Sequence, residues 1–221
     1  MKNHGDYAKY NGYDYRVLTA PVEGLANTTH ADVRWHKSFL VKSLLATYEW
    51  VFWTDCDALF MNFSMSLPVP ATNLPTRPHF ILCGDINNAI NTGQFLIDNS
   101  VWSMDFLSKV HETPVMSMKE VSDCGGGTDN AVFNLVLWNN CKVSKARVKT
   151  MDACNGKIKQ AVDPWALACA PLNTYKADYF RMSPLERTKV LRMHFAGPQT
   201  TKLKDIQRYS KMVVTGEAAN R

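Results

Sequence analysis

The sequence predicts an α/β domain, because apolar strands alternate along the chain with amphipathic helices and with the turn residues that separate them. Three stretches carry this reading. Residues Ala31 to Tyr48 place Val33, Leu40, Val41, Leu44, Leu45 and Tyr48 at helical three-and-four spacing, then run straight into the apolar Trp50 to Trp53. His79 to Cys83 is a second apolar run of strand length, and Gln94 to Ile97 is a third, followed at once by another helical pattern.

The elements follow in order. Asn3 to Tyr10 reads as the end of a helix that passes through Gly12, where a left-handed residue costs little, into a short strand around Tyr15 to Leu18. The helix over Ala31 to Tyr48 comes next, and then Trp50 to Trp53 as a strand buried on both faces. The acids of Asp55-Cys56-Asp57 fall where that strand ends, which in an open α/β sheet is where ligands sit. Leu67 to Pro78 is Pro-rich and predicts an irregular connection. Asn99 or Ser100 is placed to cap a helix whose core face is Val101, Met104, Phe106, Leu107 and Val110. Gly125 to Gly127 precede a helix starting near Thr128; lacking the G-x-x-x-x-G-K-[ST] pattern, they read as a flexible loop rather than a phosphate cradle. Ala161 to Ala168 reads as a further strand within the otherwise ambiguous region 142 to 190.

Bulk properties narrow the classes. With 221 residues, 46% hydrophobic and 20% charged, the chain predicts a single domain over residues 1–221 with a sizeable core. The net charge of +5 suits an anionic ligand such as a nucleotide, but Lys and Arg are scattered, which argues against nucleic acid. No run approaches a membrane span, and MKNHGDYAKY lacks a signal-peptide core. The chain therefore reads as cytosolic or as cut from a longer, anchored protein. Six cysteines (Cys56, Cys83, Cys124, Cys141, Cys154 and Cys169) form no C-x-x-C pair, which argues against zinc.

Asp55 and Asp57 on a turn can hold Mg²⁺ or Mn²⁺ through oxygen while leaving room for a diphosphate, whose departure the metal would assist. D-x-D alone is weak, since acid pairs also close turns and cap helices. Phosphatases of the haloacid dehalogenase type also end an apolar strand in D-x-D. Here Ala58 and Leu59 follow the pair, and no convincing downstream Lys and acid pair completes that set.

Several segments, taken together and in order, resemble glycosyltransferase family 34. NHGDYAKYNGY and the Trp35-x-Lys37 pair look like its opening motifs, WVFWTDCDALFMN like its strand and metal motif, NTGQFLIDNSVWSMDFL like its donor-side segment, and MHFAGP like its His-Phe-x-Gly. The resemblance runs from Asn3 to Gly197. It implies a GT-A fold, a mixed central sheet flanked by helices, with the family's first strand missing from this chain, as if truncated at its N-terminus. It further implies a metal-dependent retaining glycosyltransferase that moves a sugar from a nucleotide-diphosphate donor, UDP-sugar favoured and GDP-sugar open, to a glycan acceptor.

Carried over residue by residue, the resemblance assigns Asp55, Asp57 and His194 to Mn²⁺ or Mg²⁺. It gives Asp129 and Asn130 the place of the family's Asp-Gln pair, a shorter amide, at the site of catalysis. Asp85, Asn91, Thr92, Gly93 and Lys202 are the expected substrate contacts. Each has a plainer reading: a core histidine for His194, a turn before a strand for Asn91-Thr92-Gly93, a first-turn helix acid for Asp129. The family implies a membrane-anchored enzyme of the Golgi lumen. A catalytically degenerate sugar- or nucleotide-binding module is the alternative that the missing strand suggests.

Overall fold

The structure is a computed structural model that describes residues 2–18, 34, 36–70, 77–85, 89–113, 128–138, 167–169, 174–175, 180–195, 199–210 and 213. The chain divides into two compact units, one of Leu18–Trp53 with Val69–Ala170, the other of Met1–Val17, Thr54–Pro68 and Pro171–Arg221.

The first of these is built on a mixed sheet. Strand β1 (Trp50–Thr54) stands at one end, followed by β4 (Ala89–Asp98), β3 (Phe80–Asp85) and β5 (Leu167–Cys169). β3 pairs antiparallel with β4 and parallel with β5. Helices α2 (His36–Leu45), α3 (Val101–Glu112) and α4 (Thr128–Trp138) pack on it. Val41, Leu45, Phe80, Phe95, Phe106, Leu107 and Phe133 are buried in a common core. The aromatic rings meet tilted or edge-on at centroid separations of 5.2 to 5.7 Å for Phe80–Phe95, Phe95–Phe133 and Phe106–Phe133, the arrangement their quadrupoles favour.

The other unit carries α1 (Lys2–Asn11), β2 (Ala58–Phe60), β6 (Thr174–Tyr175), the short α5 (Pro184–Arg187), β7 (Arg192–His194) and α6 (Gln199–Tyr209). Its three strands lie in the order β2, β7, β6, with β2 antiparallel and β6 parallel to β7. Leu59, Met61, Val190, Met193 and Phe195 form its core.

Most predicted elements are present, with corrections that have physical reasons. α1 ends as expected at Gly12, whose φ is +72°. Tyr15 to Leu18 forms no strand; Val17 and Leu18 are exposed, so this segment has no core face to pair for. β1 is not buried on both faces: Val51 is its one buried residue, because β1 stands at the end of the described sheet. There the Arg77 guanidinium lies 4.9 Å above the Trp50 ring.

Ser100 caps α3 by accepting from the Ser103 N–H. The buried stripe of that helix runs through Ser103, Phe106, Leu107 and Val110, so Ser103 takes the place expected of Val101, which is 89% exposed. The Ser103 hydroxyl is accommodated because it donates to Asp98 Oδ1 at 2.9 Å. α4 begins at Thr128 as read, and β5 contains the end of the Ala161 to Ala168 stretch. Gly125 to Gly127, Val33, residues 161–166 and most of region 142 to 190 lie outside the described residues.

Candidate functional site

Two clusters of polar side chains are partly or wholly buried, one in each unit. The first forms where β1 gives way to β2. Asp57, at the turn before Ala58, points one carboxylate oxygen, Oδ2, at the Lys202 ammonium of α6, 2.6 Å away. His194, the last residue of β7, has its Nε2 3.6 Å from the same oxygen, beyond hydrogen-bond reach. The β2–β7 register explains this neighbourhood: Ala58 stands opposite His194, and the Phe195 N–H donates to the Asp57 carbonyl at 2.9 Å. Burial alone would push the Asp57 carboxyl up, but the His194 imidazole and the Lys202 ammonium outweigh it and hold Asp57 well below the usual carboxylate range.

The second carboxylate oxygen, Asp57 Oδ1, is buried and has no hydrogen-bond partner among the described residues. A buried acceptor left in this state is costly, and its chemistry suits a cation. Asp55 lies half-buried two residues earlier. Among the described residues no three His, Cys, Asp or Glu side chains converge closely enough to form a ready-made metal cage. The oxygen and nitrogen donors at this turn are those of Asp57 and His194, with Asp55 nearby in sequence.

Helix α1 holds this turn in place. Asn3 bonds β2 like a neighbouring strand: its Nδ2 donates to the Phe60 carbonyl at 3.0 Å and its Oδ1 accepts from the Phe60 N–H at 2.8 Å. His4 Nε2 lies 2.6 Å from the Ala58 carbonyl, one residue beyond Asp57. Tyr7 stacks flat on Phe60 with centroids 3.7 Å apart, and the Arg192 guanidinium also lies over that ring, at 4.5 Å. Burial and the nearby Arg192 charge lower the His4 pKa to about 4.

The second cluster is set by an irregularity in β4. The β3–β4 register jumps from Leu82 opposite Phe95 to Cys83 opposite Asn91, so Thr92, Gly93 and Gln94 bulge out of that ladder. Side chains take up the displaced amides: Asn91 Oδ1 accepts from the Gly93 N–H and Asn130 Oδ1 from the Thr92 N–H, both at 2.9 Å. The Thr92 hydroxyl contacts Asp129 Oδ2 at 2.9 Å and lies against Asn130 Oδ1. Lys37, buried on α2, completes the group, with its ammonium 2.6 Å from Asp129 Oδ2 and 3.2 Å from the Thr92 carbonyl. Burial would raise the Asp129 carboxyl; the Lys37 charge, with the bonds from Lys37 and Thr92, overrides that and lowers it.

The structure therefore brings Asp57, His194 and Lys202 together in one cluster, and Asn91, Thr92, Gly93, Asp129 and Asn130 in another. Asp85 closes β3, but its side chain lies outside what the structure describes. Asn91-Thr92-Gly93 is not a turn before a strand but a bulge within one. Sequence reading placed Asn3, His4 and Lys37 within the family's opening motifs but assigned none of them a role. A signal for Lys37 was available: it stands four residues before Val41 on the buried stripe of α2, where a lysine requires a counter-charge.

Residues 1–71 match the model of the galactosyl transferase GMA12/MNN10 family. An uncharacterized alpha-1,2-galactosyltransferase of Schizosaccharomyces pombe is 29% identical over a match covering 48% of this chain and 38% of that protein. A protein of Arabidopsis thaliana named "Probable xyloglucan 6-xylosyltransferase 5" is 30% identical, with 48% of this chain and 24% of that protein covered. The matches thus span less than two fifths of these relatives' length. In fold, the chain matches the crystal structure of a glycosyltransferase involved in the glycosylation of the major capsid of PBCV-1. The TM-score is 0.53 at 13% identity, over 94% of this chain and 89% of that one. The fold is that of a glycosyltransferase, mixed α/β as the resemblance implied, and the similar sequences are glycosyltransferases. No helix among the described residues is long and apolar enough to cross a membrane.

Proposed function

We propose that this chain is the catalytic part of a metal-dependent, retaining glycosyltransferase that moves a hexose or pentose from a nucleotide-diphosphate sugar to a glycan acceptor. The observation that supports it best is Asp57, a half-buried carboxylate with Lys202 on one oxygen, no described partner on the other, buried oxygen, and His194 alongside. Asp57 and His194, with Asp55, would hold Mn²⁺ or Mg²⁺. That ion supplies charge neutralisation to the departing diphosphate.

The chain's own residues carry the rest. Lys202 offers an ammonium beside Asp57 that can shift to a diphosphate oxygen, adding a second positive charge where negative charge develops. Asp129 offers a fixed carboxylate that can stabilise positive charge at the anomeric carbon. Thr92 and Asn130 hold that carboxylate's surroundings rigid through the bulge of β4. In retaining transfer the leaving diphosphate also takes the acceptor's hydroxyl proton. A UDP-sugar is the favoured donor, a GDP-sugar the next, and a Golgi-lumen location accompanies this reading.

Calorimetric titration of Mn²⁺ and then of UDP or GDP into the wild-type chain and into Asp57→Ala tests the proposal. Manganese-dependent nucleotide binding that disappears in the variant is the expected result; binding that is absent from the wild type, or equal in both, refutes it. A second reading, a sugar- or nucleotide-binding module without turnover, draws on Lys202 itself, which already balances the Asp57 charge without a metal. Donor binding with no hydrolysis of any nucleotide sugar would favour that reading.

A further inference from the structure

The buried Lys37 is unexplained by metal or diphosphate binding. It is 2% exposed and lies on the core-facing stripe of α2, where a lysine is expensive unless fully partnered. Three of its hydrogen bonds go to the second cluster: Asp129 Oδ2 at 2.6 Å, the Thr92 carbonyl at 3.2 Å and the Thr92 hydroxyl at 3.5 Å. The indole of Trp53 lies 5.6 Å from its ammonium, closing off another side. These contacts tie together α2, the bulge of β4 and the first turn of α4, elements far apart in sequence.

We propose that Lys37 is a positioning residue for sugar transfer: its ammonium clamps Asp129 against Thr92, so that the acid at the start of α4 is held ionised and in one orientation. This rests on the transferase reading above, because only a reaction that builds positive charge near Asp129 needs a permanent carboxylate there. The surroundings show why the clamp matters. Val110, Phe133 and Ser38 border the same small hollow as Asp129, and Thr92 and Asn130 are neutral. Lys37 is the cation in contact with the carboxylate, while Arg34 also borders the hollow from an exposed position. At so buried a position an acid that lost Lys37 would take up a proton more readily and cease to be a permanent charge.

The test is direct titration of the carboxyl. Carbon-13 spectra of the full chain labelled at the aspartate carboxyl carbons, with the Asp129 resonance assigned by its loss in Asp129→Asn, give its midpoint in the wild type and in Lys37→Met. The proposal expects a wild-type midpoint below the ordinary aspartate value, and a rise of more than about one pH unit in Lys37→Met. Lys37→Arg, which keeps the charge, should restore a low midpoint. A wild-type midpoint at or above the ordinary value overturns the proposal even if Lys37→Met fails to fold, as does a midpoint that does not move in a folded Lys37→Met.

Donor turnover provides the second readout. Lys37→Met should lower kcat at pH 7 by about 10²-fold with KM little changed, and shift the acid limb of the pH profile upward. A midpoint that rises as expected in a protein without any turnover would leave the clamp standing and refute the transferase reading instead.

Discussion

Protonation of His4 should loosen the turn that carries Asp57, and its size can be worked out. His4 is buried between Phe60, whose ring meets it edge-on at 5.6 Å, and the Ala58 carbonyl, and its pKa falls from 6.5 to about 4. The largest cause is burial, followed by repulsion from Arg192; the bond to Ala58 and the Asp57 charge oppose them. Because the folded value lies below the unfolded one, the unfolded chain binds the proton more tightly. The resulting stability is complete above pH 6.5 and is lost as pH falls through 6.5 toward 4. At pH 4 the loss amounts to about 3 kcal/mol, from a shift of some 2.5 units at 1.36 kcal/mol per unit. Urea unfolding at pH 7, 6, 5 and 4 should show this decline in the wild type. His4→Gln keeps a donor near Ala58 without a titrating ring, so its profile should be flatter over the same range. Parallel profiles for the two proteins would refute the reasoning. The depressed carboxyls Asp57 and Asp129 begin to cost stability at about pH 5 and do so mainly below the ordinary aspartate value, in both proteins, so the difference between the two profiles reports His4.

Two stability predictions concern packing. Asn3→Ala removes both bonds to Phe60 and leaves a backbone N–H and C=O without those partners; a loss of about 1–3 kcal/mol by urea unfolding is expected. Phe106→Ala opens a cavity among Trp102, Phe80 and Phe133 and should cost about 3–5 kcal/mol, read as a lower thermal midpoint.

The sequence by itself determined what is local. The apolar stripe and Ser100 cap specified α3, the αL glycine ended α1, and the apolar runs of β1 and β3 located strands, because propensity, capping and periodicity act over a few residues. Ordered motifs also led to Asp57, His194, Asp129 and Asn130. What only the tertiary structure decided is which of these meet. Lys202 and Asp57 lie 145 residues apart and Lys37 and Asp129 lie 92 apart, so no periodicity pairs them. The three-residue bulge of β4 is likewise set by the β3 register and by Asn130 from helix α4, not by Thr92 or Gly93 alone. The mistaken strand at Tyr15 to Leu18 and the overstated burial of β1 have the same origin: an apolar run states what a segment can bury, while its neighbours in the fold decide how much of it is covered.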